Sequence, residues 1–114
     1  MTDQVTTALT SLLAALDQLE FDSDEYSIAC WQIWNFLTNA EKETLICVTY
    51  SGPVSSGGLP SKNARNLLVR AGLCCATLIN GSAGYWTGCG YALDIVSHGH
   101  GPNTLDRRWK EVRP

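Results

Sequence analysis

The chain has 114 residues, enough for one hydrophobic core and too few for two, so one domain is expected. Its 45% apolar and 17% charged composition excludes a disordered chain, and no apolar run approaches the roughly eighteen residues that span a bilayer. The formal charge of -3 hides an asymmetry: residues 1 to 50 hold eight acids against Lys42, net -7, whereas residues 51 to 114 hold seven cations against three acids, net +4.

The first residues, Met-Thr-Asp-Gln, lack the basic region and apolar core of a signal peptide, which predicts a cytoplasmic protein with no membrane partner. From Thr2 to Phe21, Val5, Ala8, Leu9, Leu12, Leu13, Ala15, Leu16 and Leu19 recur at three- and four-residue spacings, predicting an amphipathic helix. Asp17 and Glu20 at its C-terminal end oppose the helix dipole, which points to solubility or a partner rather than helix stability. Ser23 or Asp22 can cap a second helix over about 24 to 37, with Asp24 and Glu25 in its first turn as the dipole prefers. Its Tyr26, Ile28, Ala29, Trp31, Ile33, Trp34, Phe36 and Leu37 exceed one helical face. Such a helix is either buried on two sides or presents aromatic surface to another protein. The helical pair of residues 2 to 37 is therefore a candidate homodimer contact, with Trp31, Trp34, Glu20 and Asp24 as candidate protein-interaction residues.

Thr38-Asn39-Ala40-Glu41 has capping-box spacing and opens a third helix to about Tyr50, stopped by Ser51-Gly52-Pro53. Ser55-Ser56-Gly57-Gly58 is a poor helix, so any helix between that stop and Pro60 is one turn long or absent. A fourth helix is expected over about 60 to 71, with Pro60 in its first turn and Gly72 just past its end. Ala64, Leu67, Leu68 and Ala71 form its apolar stripe, while Lys62, Arg65, Asn66 and Val69 lie elsewhere. A hairpin of two runs follows, Leu73 to Ile79 and Tyr85 to Val96, around the Asn80-Gly81 turn signal. Both runs are apolar on both faces, which predicts a hairpin covered on most of each. Ser97 onward has loop composition, ending in a basic tail with Arg107, Arg108, Trp109, Lys110 and Arg113.

The order Leu37-Thr38, Ala40-Glu41, Leu45-Ile46 and Gly52-Pro53-Val54, then a helix ending Ala71-Gly72-Leu73 and a hairpin, resembles the winged helix-turn-helix domains of bacterial and phage regulators over residues 37 to 96. It departs from them in the shortened or missing supporting helix. The resemblance implies a winged-helix-like α+β domain with three N-terminal helices, a fourth helix and a C-terminal β-hairpin. Residues 2–37 would then form a helical hairpin, 38–96 the winged-helix-like core, and 97–114 a loop and basic tail. It further implies a transcriptional regulator of phage or prophage type that binds double-stranded DNA through the fourth helix. Arg and Asn make bidentate contacts to base edges and Lys and Arg neutralise phosphates, so Lys62, Asn63, Arg65, Asn66 and Arg70 are the candidate nucleic-acid-binding residues. Arg107, Arg108 and Lys110 are candidate backbone contacts. The alternative is a protein-binding accessory or inhibitor, such as a phage-encoded inhibitor of a host or defence factor, acting through the acidic helical half.

Five cysteines, Cys30, Cys47, Cys74, Cys75 and Cys89, are an odd number set in apolar patterns, which predicts free structural thiols. None is marked as a nucleophile by a base at hand, and no enzyme is expected. His98 and His100 lack paired cysteines or a carboxylate at ligand spacing, so no metal and no cofactor is expected.

Overall fold

The hydroxyl side chains that the sequence places before its helices do cap them. In the structure, a computed structural model that describes residues 2–100, helix α1 covers Thr2–Asp17, α2 Asp24–Phe36 and α3 Asn39–Tyr50. Ser23 Oγ accepts from the Tyr26 N–H at 3.1 Å. Thr38 Oγ1 accepts from the Glu41 N–H, and Glu41 Oε1 accepts from the Thr38 N–H at 2.9 Å, closing the capping box. After α3 come a two-residue strand β1 (Val54–Ser55), a 3-10 turn over Ser56–Gly58 and helix α4 (Lys62–Ala71). The α4 cap is Ser61, whose Oγ accepts from the Ala64 N–H, so Pro60 lies outside the helix rather than in its first turn. A left-handed Gly72 ends α4, and the Leu73 N–H returns to the Leu68 carbonyl at 2.9 Å.

Strands β2 (Cys74–Ile79) and β3 (Ser82–Gly88) form the hairpin around Asn80 and Gly81, both at positive φ, as a two-residue turn of matching twist requires. The sheet is antiparallel in the order β1-β3-β2, with Val54 opposite Trp86 and Cys75 opposite Thr87. Ala83 and Gly84 share the place opposite Leu78, a bulge near the tip. At the other end β3 lies directly on α3: a Cβ on Gly88 would come within 2.6 Å of Thr49 Oγ1.

The structure corrects the sequence expectation at three further places. Helix α1 ends at Asp17, short of Phe21. The second hairpin run stops at Gly88, and a fifth helix, α5 (Ala92–Gly99), replaces the last part of the expected strand to Val96 and the start of the loop expected from Ser97. Ala92, Ile95 and Val96 sit at i, i+3 and i+4 and are all buried, so helical spacing prevails over the β-branched content of the run. The hairpin is also not covered on both faces, because Ala76 and Leu78 are exposed, Leu78 by 62%.

One core joins these parts. Leu9, Leu13 and Leu16 of α1, Tyr26, Cys30, Ile33 and Trp34 of α2, and Leu45 and Val48 of α3 meet Leu68, Leu73, Cys74, Ile95 and Val96. Helix α2 packs chiefly on α5 and also on α1, while α3 packs on α4, β3 and α5. Among the described residues no helix is long and apolar enough to cross a membrane.

Candidate nucleic-acid interface

Buried Ala64, Leu67 and Leu68 fix which way α4 faces. Lys62, Asn66 and Arg70 then fall at i, i+4 and i+8 on its exposed side, one straight row beside Val69. Asn63 and Arg65 flank that row, and neither simply faces water.

Arg65 is half-buried. Its guanidinium carbon lies 4.5 Å from the centroid of the Trp86 ring, and its Nε and Nη2 both donate to Asn66 Oδ1, at 3.1 and 2.8 Å. Trp86 Nε1 donates to Ser56 Oγ at 2.9 Å, and Ser56 Oγ in turn donates to the Gly84 carbonyl at 3.4 Å. The 3-10 turn, the hairpin and α4 are thus tied at one indole. Two guanidinium N–H positions are thus engaged by Asn66. Asn63 turns the other way and lines a cavity of about 350 Å³ with Val5, Thr38, Ala40, Glu41, Ser61, Ala64 and Leu67. The row facing outward is therefore Lys62, Asn66 and Arg70, with Arg65 at its hairpin edge. Arg107, Arg108 and Lys110 lie outside the described residues.

The second set of candidates divides. Trp31 is 54% exposed, whereas Trp34 is only 7% exposed, with His100 at 5.9 Å between ring centroids and Lys42 Nζ 5.5 Å from its ring. Trp34 is thus a core residue, not a surface contact. Glu20 and Asp24 are exposed, and Asp24, Ile28, Trp31 and Asn35 follow one another at i, i+4, i+7 and i+11 along the outer face of α2. The acid that the first-helix reading left without a structural role, Asp17, accepts the Tyr91 hydroxyl and so ties α1 to the start of α5.

Sequence reasoning missed the polar cluster between α2 and α5. The Tyr26 hydroxyl donates to Asp94 Oδ2 at 2.5 Å, and the His98 ring lies 6.4 Å from the Tyr26 ring. Burial, and then the hydrogen bond and charge of Asp94, push the Tyr26 phenol far above its usual range. Burial likewise raises the Cys30 thiol to about 11, with Asp94 adding to the effect. Both groups stay protonated at neutral pH, which suits a structural donor and not a base or nucleophile. All five thiols are free, and among the described residues no three or more His, Cys, Asp and Glu side chains gather to hold a metal ion. No protein-family model, curated protein or solved structure matches the chain.

Proposed function

We propose that this chain is a small winged-helix protein that binds double-stranded DNA through α4, as a transcriptional regulator of phage or prophage type. The observation that carries this reading is the path of residues 39–88. It runs helix, short strand, one 3-10 turn, capped helix and hairpin, with the first strand beside the last in a β1-β3-β2 sheet. On that segment Lys62, Asn66 and Arg70 of α4 and residues 80–84 at the hairpin tip are exposed, and a helix of this width fits a major groove. Lys62 and Arg70 would neutralise phosphates, Asn66 would reach base edges, and the 3-10 turn would stand where a supporting helix is usual. Trp86 supports α4 in its place by holding Arg65 and Ser56 together.

The test is fluorescence anisotropy of a labelled mixed-sequence duplex at low and raised salt. Binding is expected to weaken steeply with salt, and Lys62→Ala/Arg70→Ala is expected to flatten the slope of log K against log salt by about 2. No binding at low salt, or a double mutant with the wild-type slope, would remove the DNA reading.

A second reading rests on α2. Its outer stripe sets two apolar side chains, Ile28 and Trp31, after two acids, Asp24 and Glu25. A surface of that chemistry suits a cationic polypeptide with an apolar anchor.

A further inference from the structure

We propose that the polypeptide which covers the Asp24-Ile28-Trp31 stripe of α2 is residues 101–114 of this same chain. The proposal rests on the second reading above and names its occupant.

Position comes first. The chain leaves α5 beside the C-terminal end of α2: Gly99, which has no side chain, lies against the Trp34 ring, and the His100 ring packs 5.9 Å from it. Any side chain at Gly99 would overlap that indole, so the exit is held close to α2. Trp31 is one helical turn from Trp34, and Asp24 is about 15 Å from Trp34 along the axis by helix geometry. Fourteen residues are long enough to reach that far, since even as a helix they would span about 21 Å.

Chemistry comes second. Residues 101–114 contain Leu105, Trp109 and Val112 at i, i+4 and i+7, an apolar row, together with Arg107, Arg108, Lys110 and Arg113 against Asp106 and Glu111, net +2. The receiving face offers Ile28 and Trp31, then Asp24 and Glu25, with Glu20 and Asp22 in the corner before them, all exposed. Apolar row meets apolar stripe, and cations meet acids. A second copy of α2 would instead bring another half of net -7 to a half of net -7, so like charge disfavours that occupant.

The experiment is limited trypsin digestion of the full chain, following cleavage after Arg107, Arg108 and Lys110 by mass spectrometry. Cleavage is expected to be about tenfold slower in the wild type than in Trp109→Ala, Trp31→Ala or Asp24→Asn/Glu25→Gln, independently of protein concentration, because proteolysis tracks the undocked population. Trp31, Asp24 and Glu25 are exposed, so these variants are expected to keep the core, with circular dichroism as the check. Equal cleavage rates in wild type and variants would overturn the proposal. Protection that grows with protein concentration would overturn it in favour of a second copy. A synthetic peptide of residues 101–114, titrated into full-chain Trp109→Ala and read by amide shifts at Asp24, Ile28 and Trp31, separates the two levels. If the wild type is unprotected but the peptide binds there, the intramolecular occupant falls and the α2 reading survives. If neither is seen, both fall.

Discussion

Helices α2 and α4 bury stripes in the same core but treat water differently. Outside its buried Ala64, Leu67 and Leu68, α4 shows an outward row of Lys62, Asn66 and Arg70, polar and charged side chains exposed to water. Outside its buried Tyr26, Cys30, Ile33 and Trp34, α2 still shows Ile28, Trp31 and Phe36. Covering such apolar area gains about 25 cal/mol per Å², whereas covering the α4 row without partners would strand charges. The lesson is that charge alone does not locate contact surfaces in this chain. The surface of α4 is stable in water and open to a polyanion, while that of α2 gains from being covered.

The largest expected effect tests the inner faces. Ile33→Ala should lower the unfolding free energy by about 2–5 kcal/mol in urea denaturation, because Ile33 is 1% exposed. Ile28→Ala, at 55% exposure, should lower it by about 1 kcal/mol or less. Equal losses would break the division between inner and outer α2. Next, Tyr26→Phe removes the donor that satisfies Asp94 between α2 and α5 and should destabilise by about 1–3 kcal/mol.

The buried phenol of that cluster and two buried thiols predict a pH dependence. The folded state raises the pKa of Tyr26 above 10, and those of Cys30 and Cys74 from 9.0 to about 11, so it holds these protons more tightly than the unfolded chain does. Their contribution is complete below about pH 9 and is lost as pH rises through 9 to 11, with Tyr26 extending the loss above that range. Urea midpoints that stay flat from pH 8.5 to about 11 would contradict it. Smallest are the changes on α4. Arg65→Ala should cost about 0.5–1 kcal/mol through its lost stacking on Trp86, and Lys62→Ala/Arg70→Ala should stay within about 0.5 kcal/mol while changing only the affinity for a duplex. A larger stability loss for the double variant than for Arg65→Ala would mean that the outward row is part of the scaffold.

Much of this was legible in local spacing. The caps Ser23 and Thr38, the Gly72 stop and the Asn80-Gly81 turn all act within a few residues, and the structure uses each of them. The fifth helix was obscured because Tyr85 to Val96 reads as a β-rich run that Gly88 and Gly90 interrupt only as a bulge or close contact would. The structure makes that interruption a full break, with Gly88 lying against Thr49 and Gly90 at φ +59, and the partners of both glycines are distant in sequence. A strand of two residues such as β1 has no periodicity to detect. In the candidate site, the row of Lys62, Asn66 and Arg70 follows from helical spacing. The diversion of Arg65 onto Trp86 does not, because the partners are 21 residues apart in sequence. The pairs Tyr26 with Asp94 and Asp17 with Tyr91 span 68 and 74 residues, beyond any local pattern.

The buried thiols also give the molecule two internal clocks. Cys30 in α2 and Cys74 in β2 are 0% and 2% exposed, and burial keeps each protonated at neutral pH, so an alkylating reagent meets a reactive thiolate only when the surrounding segment opens. One thiol sits in the helical half and the other at the base of the hairpin. Pulsed labelling at these two positions would time the opening of each half without introducing a foreign probe, and unequal rates would show that the two halves breathe separately.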